Sequence, residues 1–240
     1  MKESIVEHVR QALKDSSNAN YKASSQRFFK EGEAPNVYGV RSADLRRIAK
    51  ESLKDVKRYS KAEVFQLCES LWQSDYFEES IIACIWAESL EKQFTPDDFD
   101  VFERWIHQYI RNWADCDTFC NHTVGSFLMK YPEYLKELKR WATSDNRWVR
   151  RASVVSLIIP ARKGLFLKDV FELAEILLLD NDDLVQKGYG WLLKVAAEKH
   201  QEAVFDYVMS KKEVMPRTAL RYAIEKMPAD LKAAAMRKSV

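Results

Sequence analysis

The order of apolar and charged positions follows a helical period rather than the two-residue alternation of strands. Met1-Lys2-Glu3-Ser4-Ile5 opens an amphipathic helix, and the pattern continues into about a dozen predicted helices of roughly 10 to 17 residues with short links. Their starts are marked. Ser60-Lys61-Ala62-Glu63 is a capping box, in which a hydroxyl and a carboxylate each take an orphan backbone N–H. Thr95-Pro96-Asp97-Asp98 offers an N-cap, a Pro at the first helical position and acids in the first turn. Pro132, Pro216 and Pro228 stand where further helices should begin, and Pro160 should close the run from Trp148 to Ile159. Only 6 Gly and 6 Pro occur, and no Asn-Gly or Asp-Gly pair separates alternating runs, which argues against an all-β domain. The stretch Glu31 to Val40 reads as the one loop of note.

Several helices open alike: Ser74-Asp75-Tyr76-Phe77, Ser144-Asp145-Asn146-Arg147-Trp148-Val149 and Asn181-Asp182-Asp183-Leu184-Val185. Phe77, Trp113, Val149 and Val185 fall at intervals of 36. Two helices within such a period predict an all-α fold, a curved α-α superhelix of the HEAT or armadillo kind, with residues 1–240 as a single domain. The second helix of each pair would line a concave surface. Asp117, Arg151 and Trp191, spaced by 34 and 40 residues, would lie along it. Matching Trp113 to Val149 instead puts Asp117 and Arg151 in different helical phases, and periodicity leaves both registers open.

Trp113 and Asp117 are four residues apart, so on a helix they share one face, an indole one turn from a carboxylate. That pairing suits a cationic, ring-shaped group. The plainer readings are a core indole and an exposed acid, and Asp115 competes with Asp117 for any chemical role. Trp72, Trp86, Trp105, Trp141 and Trp148 read as core.

Composition narrows the setting. With 47% hydrophobic and 31% charged residues the chain is globular. No apolar run approaches the roughly 18 to 20 residues of a membrane span, and the N-terminus lacks the apolar stretch of a signal peptide, so a cytoplasmic protein is expected. Cys68, Cys84, Cys116 and Cys120 read as reduced, buried thiols rather than metal ligands, although His122 lies near two of them. The net charge of +2 conceals segregation: residues 1–60 and 130–240 are basic, and residues 61–129 are acidic. Bulk charge therefore neither demands nor excludes nucleic acid.

Trp113-Ala114-Asp115-Cys116-Asp117, Asp145-Asn146-Arg147-Trp148-Val149-Arg150-Arg151-Ala152 and Gln186-Lys187-Gly188-Tyr189-Gly190-Trp191 resemble the three signature segments of the AlkD-type DNA glycosylases, the DNA alkylation repair enzymes. Tyr38-Gly39-Val40-Arg41-Ser42-Ala43-Asp44-Leu45-Arg46-Arg47-Ile48 resembles the N-terminal part of the same family, with Ser42-Ala43 in place of its usual Thr-Pro. The resemblance implies a HEAT-like fold and hydrolysis of the N-glycosidic bond of cationic alkylated purines, without metal or cofactor. It implies Asp117 as the catalytic carboxylate, Trp113 and Trp191 as the cradle of the lesion nucleotide, and Arg151 as a holder of backbone phosphate. The expected partner is double-stranded DNA, bound by a monomer with no membrane involvement.

Arg46, Lys50 and Lys54 share a helical stripe with Arg47 and Arg58 beside it. They read either as a solvated face laced with Glu51 and Asp55 or as a ridge facing phosphates. Arg41, Arg150, Lys187, Arg217 and Arg221 are further candidates for DNA contact, and one of Arg150 and Arg151 should be a solvated or salt-bridged face residue. Two rivals share this fold: a non-catalytic protein that binds distorted or branched DNA, and a protein-binding helical scaffold.

Overall fold

The computed structural model describes residues 2–25, 27, 29 and 33–237, and every regular element among them is a helix. Contacts divide the chain into two compact units, Met1–Val101 with Gln108–Phe119, and Phe102–His107 with Cys120–Val240.

The first unit contains α1 (Lys2–Asp15), α2 (Ala19–Ser25), α3 (Ser42–Val56), α4 (Lys61–Trp72), α5 (Phe77–Glu88) and α7 (Trp113–Phe119), and α6 (Asp98–Gln108) supplies residues to both units. Here α1 packs on α3 and α4, both of those pack on α5, and α5 packs on α7. Leu13, Leu71, Ile82 and Trp86 are fully buried between them. The expected capping box starts α4: Ser60 accepts from the Glu63 N–H while Glu63 accepts from that of Ser60. Glu31 and Gly32 of the expected loop lie outside the described residues. From 33 onward the segment is non-helical, and an isolated parallel bridge pairs Asn36 with Tyr76.

The second unit opens with a π-helical turn, Cys120–Val124, followed by α8 (Gly125–Lys130), a 3-10 turn (Pro132–Tyr134), α9 (Leu135–Trp141), α10 (Arg147–Val155), α11 (Ile158–Arg162), α12 (Leu167–Ile176), α13 (Asp183–Lys211), α14 (Arg217–Ile224) and α15 (Ala229–Met236). Helices pack on others one to three places away in the chain: α9 on α10 and α12, α10 to α12 on α13, α11 also on α8, and α13 on α14 and α15. Nearest-neighbour stacking of helices is the internal logic of a solenoid.

Many of these helices are shorter than the expected 10 residues, α7 and α9 having 7 and α8 only 6. The opposite error occurs at α13, whose 29 residues run through a break at His200 (φ −134°, ψ 49°). Pro160 does not close the preceding helix. α10 ends at Val155, and Pro160 is the third residue of α11, a first-turn position whose N–H needs no intrahelical partner. Pro216 and Pro228 do stand immediately before α14 and α15. Trp72, Trp86, Trp105, Trp141 and Trp148 are all buried, and the four cysteines are free and buried. No helix among the described residues is long and apolar enough to cross a membrane.

Candidate functional site

Three helices start from polar caps that set a common register. Asn112 begins α7, its Oδ1 accepting the Asp115 N–H at 2.9 Å and its carbonyl that of Cys116 at 3.2 Å. Asn146 begins α10 by accepting from the Trp148 N–H at 2.9 Å. Asp182 begins α13 by accepting from the N–H groups of Leu184 and Val185 at 2.9 and 3.3 Å. Side-chain oxygens of this kind satisfy donors that the first turn leaves orphaned. Counted from these caps, Asp117, Arg151 and Lys187 each stand fifth. Asp117 and Arg151 therefore hold the same position on their helices. On the third helix that position belongs to Lys187, and Trp191 stands one turn further along.

Within α7 the two acids part company. Asp115 is 4% exposed and its Oδ2 accepts from Asn112 Nδ2 at 2.5 Å, while its buried Oδ1 has no hydrogen-bond partner. Burial pushes its carboxyl up to about 7, with Asp75 adding to the rise and the Asn112 hydrogen bond opposing it. Asp117, one turn beyond Trp113, is only half-buried. Trp113 is half-buried too and leans on Phe29, ring centroids 6.0 Å apart at 32°, with Phe29 edge-on to Phe77 at 6.2 Å. The helix thus turns one acid inward as part of its own cap and keeps the other, with an indole, at the surface.

Asp115 has a consequence for stability. Because the fold raises its pKa from the ordinary 4 or so to about 7, the folded chain holds that proton more tightly than the unfolded one. Stability should fall as pH rises from about 4 to about 7 and stay lower above, by an amount on the order of 2–4 kcal/mol. Asp115→Asn cannot ionise, so its denaturant midpoint should lose less than that of the wild type between pH 5 and pH 8. Parallel pH profiles for the two proteins would contradict the assignment.

The cations of α3 divide by partner. Arg47 pairs with Asp44 at 3.4 Å and with Glu51 at 3.3 Å, and Arg58 with Asp55 at 3.5 Å, as the solvated-face reading expects. Arg46, Lys50 and Lys54 are exposed along one stripe and, like Arg41 at the N-cap, have no ion pair among the described residues.

In the second unit Arg150 is the salt-bridged member of its pair, bonded to Asp180 at 2.6 Å and to the carbonyls of Ser144 and Asp145 at 2.9 and 3.0 Å. Arg151 is 5% exposed, and its Nη1 donates to the Leu184 carbonyl in the first turn of α13. Gly188 makes room for it: a Cβ there would stand 3.5 Å from Arg151 Nη1 and 3.1 Å from Val154 Cγ2. Lys187 pairs with Asp183 at 3.0 Å. Trp191 is half-buried. Arg217 and Arg221 are exposed on α14, with Arg217 Nη2 3.4 Å from Met236 Sδ.

Sequence reasoning passed over Asn112, whose place before Trp113 was the available signal for a cap. It also passed over Glu78 and Glu79, which look like ordinary first-turn acids yet are 2% and 0% exposed.

Comparison with known proteins adds an independent line. A family model described as DNA alkylation repair enzyme matches residues 9–227. No curated protein matches the chain. Among solved structures, a protein from Enterococcus faecalis described as a predicted DNA alkylation repair enzyme superposes with a TM-score of 0.78 at 17% identity, covering 89% of this chain and 98% of its own. AlkD2 from Streptococcus mutans gives a TM-score of 0.60 at 18% identity, covering 77% of this chain and 91% of its own. The Streptococcus mutans protein smu.31 gives 0.55 at 17%, covering 79% and 96%. At these identities the structural likeness is one of fold.

Proposed function

The chain belongs to the DNA alkylation repair enzyme family, and from that premise we propose that it is a monofunctional DNA glycosylase acting on cationic alkylated purines such as 3-methyladenine and 7-methylguanine in duplex DNA. It hydrolyses the N-glycosidic bond and leaves an abasic site. The observation that carries this reading is the division of labour on α7: Asn112 and burial hold Asp115 inside, while Asp117 and Trp113 keep surface exposure one turn apart.

Alkylation at a ring nitrogen gives the purine a formal positive charge, so it departs with the bonding electron pair as a neutral base and needs no general acid. The sugar carries the positive charge in the transition state. Asp117 stabilises that charge and orients the water whose oxygen bonds to the anomeric carbon, its proton passing to solvent. A preorganised charged group of this kind contributes about 3–4 kcal/mol. The logic is that of a glycoside hydrolase with the acid role removed. Trp113, one turn from Asp117 on the same helix, offers an aromatic face to the cationic base or sugar, worth roughly 0.5–2 kcal/mol.

Phosphate contacts fall to exposed cations: Arg41, Arg46 and Lys50 on the first unit, Arg217 and Arg221 on the second. Arg150 and Lys187 would first have to leave Asp180 and Asp183. Arg151, buried, braces α10 against the start of α13 and would have to leave the Leu184 carbonyl before it could hold a phosphate.

The electrostatic reading has a direct test. Trp113→Ala should lower kcat/KM for 7-methylguanine release roughly 2- to 30-fold and leave a neutral lesion such as hypoxanthine a poor substrate for both proteins. Equal release of neutral and cationic bases by the wild type would overturn the mechanism.

A further inference from the structure

Glu78 and Glu79, the second and third residues of α5, are the most deeply buried acids of the first unit, and the chemistry above uses neither. Both turn toward the segment that leads into α3. The Glu78 carboxylate accepts three successive backbone N–H groups, those of Tyr38 at 3.0 Å, Gly39 at 2.8 Å and Val40 at 3.0 Å. Consecutive N–H groups converging on one point form an anion-binding nest, here filled by the protein's own carboxylate. Gly39 makes the convergence possible with φ +88°, and a Cβ there would stand 2.7 Å from Asn18 O and from Lys22 Cβ. Glu79 accepts the Tyr38 hydroxyl at 2.7 Å and the Arg10 Nε at 3.1 Å. The carbonyls of the same segment are held as well, Tyr38 O by the Ser17 hydroxyl at 2.7 Å and Gly39 O by the Asn18 N–H at 3.0 Å.

This clamp ends one residue before an exposed cation. Arg41 is the N-cap of α3, with extended φ/ψ (−64°, 145°) and no side-chain cap hydrogen bond. Ser42 and Ala43 follow it, so no Pro fixes the first turn. The direction in which Arg41 leaves the surface is set by the residues behind it. We propose that Glu78 is a positioning residue for DNA binding: by gathering the N–H groups of residues 38–40 it presents Arg41 to a backbone phosphate in a preformed geometry. The proposal rests on the DNA-binding part of the reading above.

The test is a double-mutant cycle in the full chain, with duplex DNA affinity measured across a salt series. Arg41→Ala should weaken binding and flatten the slope of log K against log salt by about 1, the loss of one phosphate contact. Glu78→Gln replaces an acceptor facing three donors with a group that itself donates. It should reproduce that weakening and that flattening, and the double variant should lose no more than either single. The single-turnover rate constant of base release at saturating protein should be unchanged in Glu78→Gln, and the flattened salt slope is a change that a general loss of folded protein would not give.

Additive losses, or an unchanged salt slope in Glu78→Gln beside a flattened one in Arg41→Ala, would overturn the clamp. So would an Arg41→Ala protein that binds like the wild type. The wild type supplies a check that needs no variant: the amides of residues 38–40 should exchange slowly with solvent both before and after DNA is added, and fast exchange in the free protein would refute preformation. A wild type that shows no salt-dependent affinity for duplex DNA would instead defeat the DNA-binding reading itself.

Discussion

Asp117→Asn should slow release of 3-methyladenine and 7-methylguanine from methylated duplex DNA by roughly 100- to 1,000-fold, whereas Asp115→Asn should retain most of the wild-type rate at neutral pH. The substitution keeps shape, removes the negative charge that an oxocarbenium-like sugar requires, and turns one acceptor oxygen that could orient the water into a donor. Loss of a preorganised electrostatic partner costs about 3–4 kcal/mol, far more than the few tenths expected for neutralising an ordinary exposed helix acid. Asp115 differs because its charge is already opposed by the fold. It is 4% exposed, its pKa is raised to about 7 by burial, and its Oδ2 closes the α7 cap with Asn112 at 2.5 Å. An Asn side chain can still accept that hydrogen bond. Matched kinetics of the two variants under single-turnover conditions decide between the acids, and a severe loss confined to Asp115→Asn would mean that the buried carboxyl carries the chemistry.

The second large effect is on stability, at Gly190. On intrinsic helix propensity alone Gly190→Ala should gain about 1 kcal/mol. The packing opposes it. A Cβ on Gly190 would stand 2.7 Å from Tyr222 Cβ, 2.8 Å from the Ala219 carbonyl oxygen and 3.1 Å from Ala219 Cα, so α13 and α14 would have to separate. Two of those three atoms are backbone, which cannot rotate away. Overpacking costs about 1–3 kcal/mol, occasionally more, and contacts this short with backbone atoms belong at the upper end; less the propensity gain of about 1 kcal/mol, a net loss of about 2 kcal/mol is expected. For a chain of this size that is roughly 4–8 °C in Tm.

Gly188, two residues earlier, is the control. Its nearest obstacles are the side-chain atoms Val154 Cγ2 at 3.1 Å and Arg151 Nη1 at 3.5 Å, so Gly188→Ala should change stability by no more than about 1 kcal/mol. Thermal unfolding of the two variants side by side tests the pair. A Gly190→Ala protein as stable as the wild type would show that the α13–α14 approach is looser than these distances imply.

What the sequence made legible follows from how local the cause is. The Ser60–Glu63 capping box lies within four residues and was readable as such. So were the core tryptophans, since a large apolar ring at helical spacing has few other uses. The Trp113–Asp117 pair was readable because α7 spans both residues. The choice between Asp115 and Asp117 was not, because it depends on Asn112 turning its amide inward and on how deeply α7 packs on α5. Arg150 and Arg151 are adjacent, and their fates are set by Asp180 and Leu184, some 30 residues away. Glu78 and Glu79 find their partners about 40 and 70 residues upstream, at Val40 and Arg10. No local pattern distinguishes them from acids that merely complement a helix dipole. The register left open by the 36-residue period was present in the sequence all along, in the polar caps Asn112, Asn146 and Asp182, but only helical geometry identifies those three as equivalent.

The central claim is that this chain breaks the N-glycosidic bond of a cationic purine. Incubating the purified wild-type protein with methylated duplex DNA and quantifying free bases by chromatography tests it most directly. Time-dependent appearance of free 3-methyladenine and 7-methylguanine, with the DNA strand left intact until the abasic sites are cleaved by alkali, is the expected result. Tight duplex binding with no base released above the spontaneous rate would contradict it and leave a non-catalytic DNA-binding protein in its place.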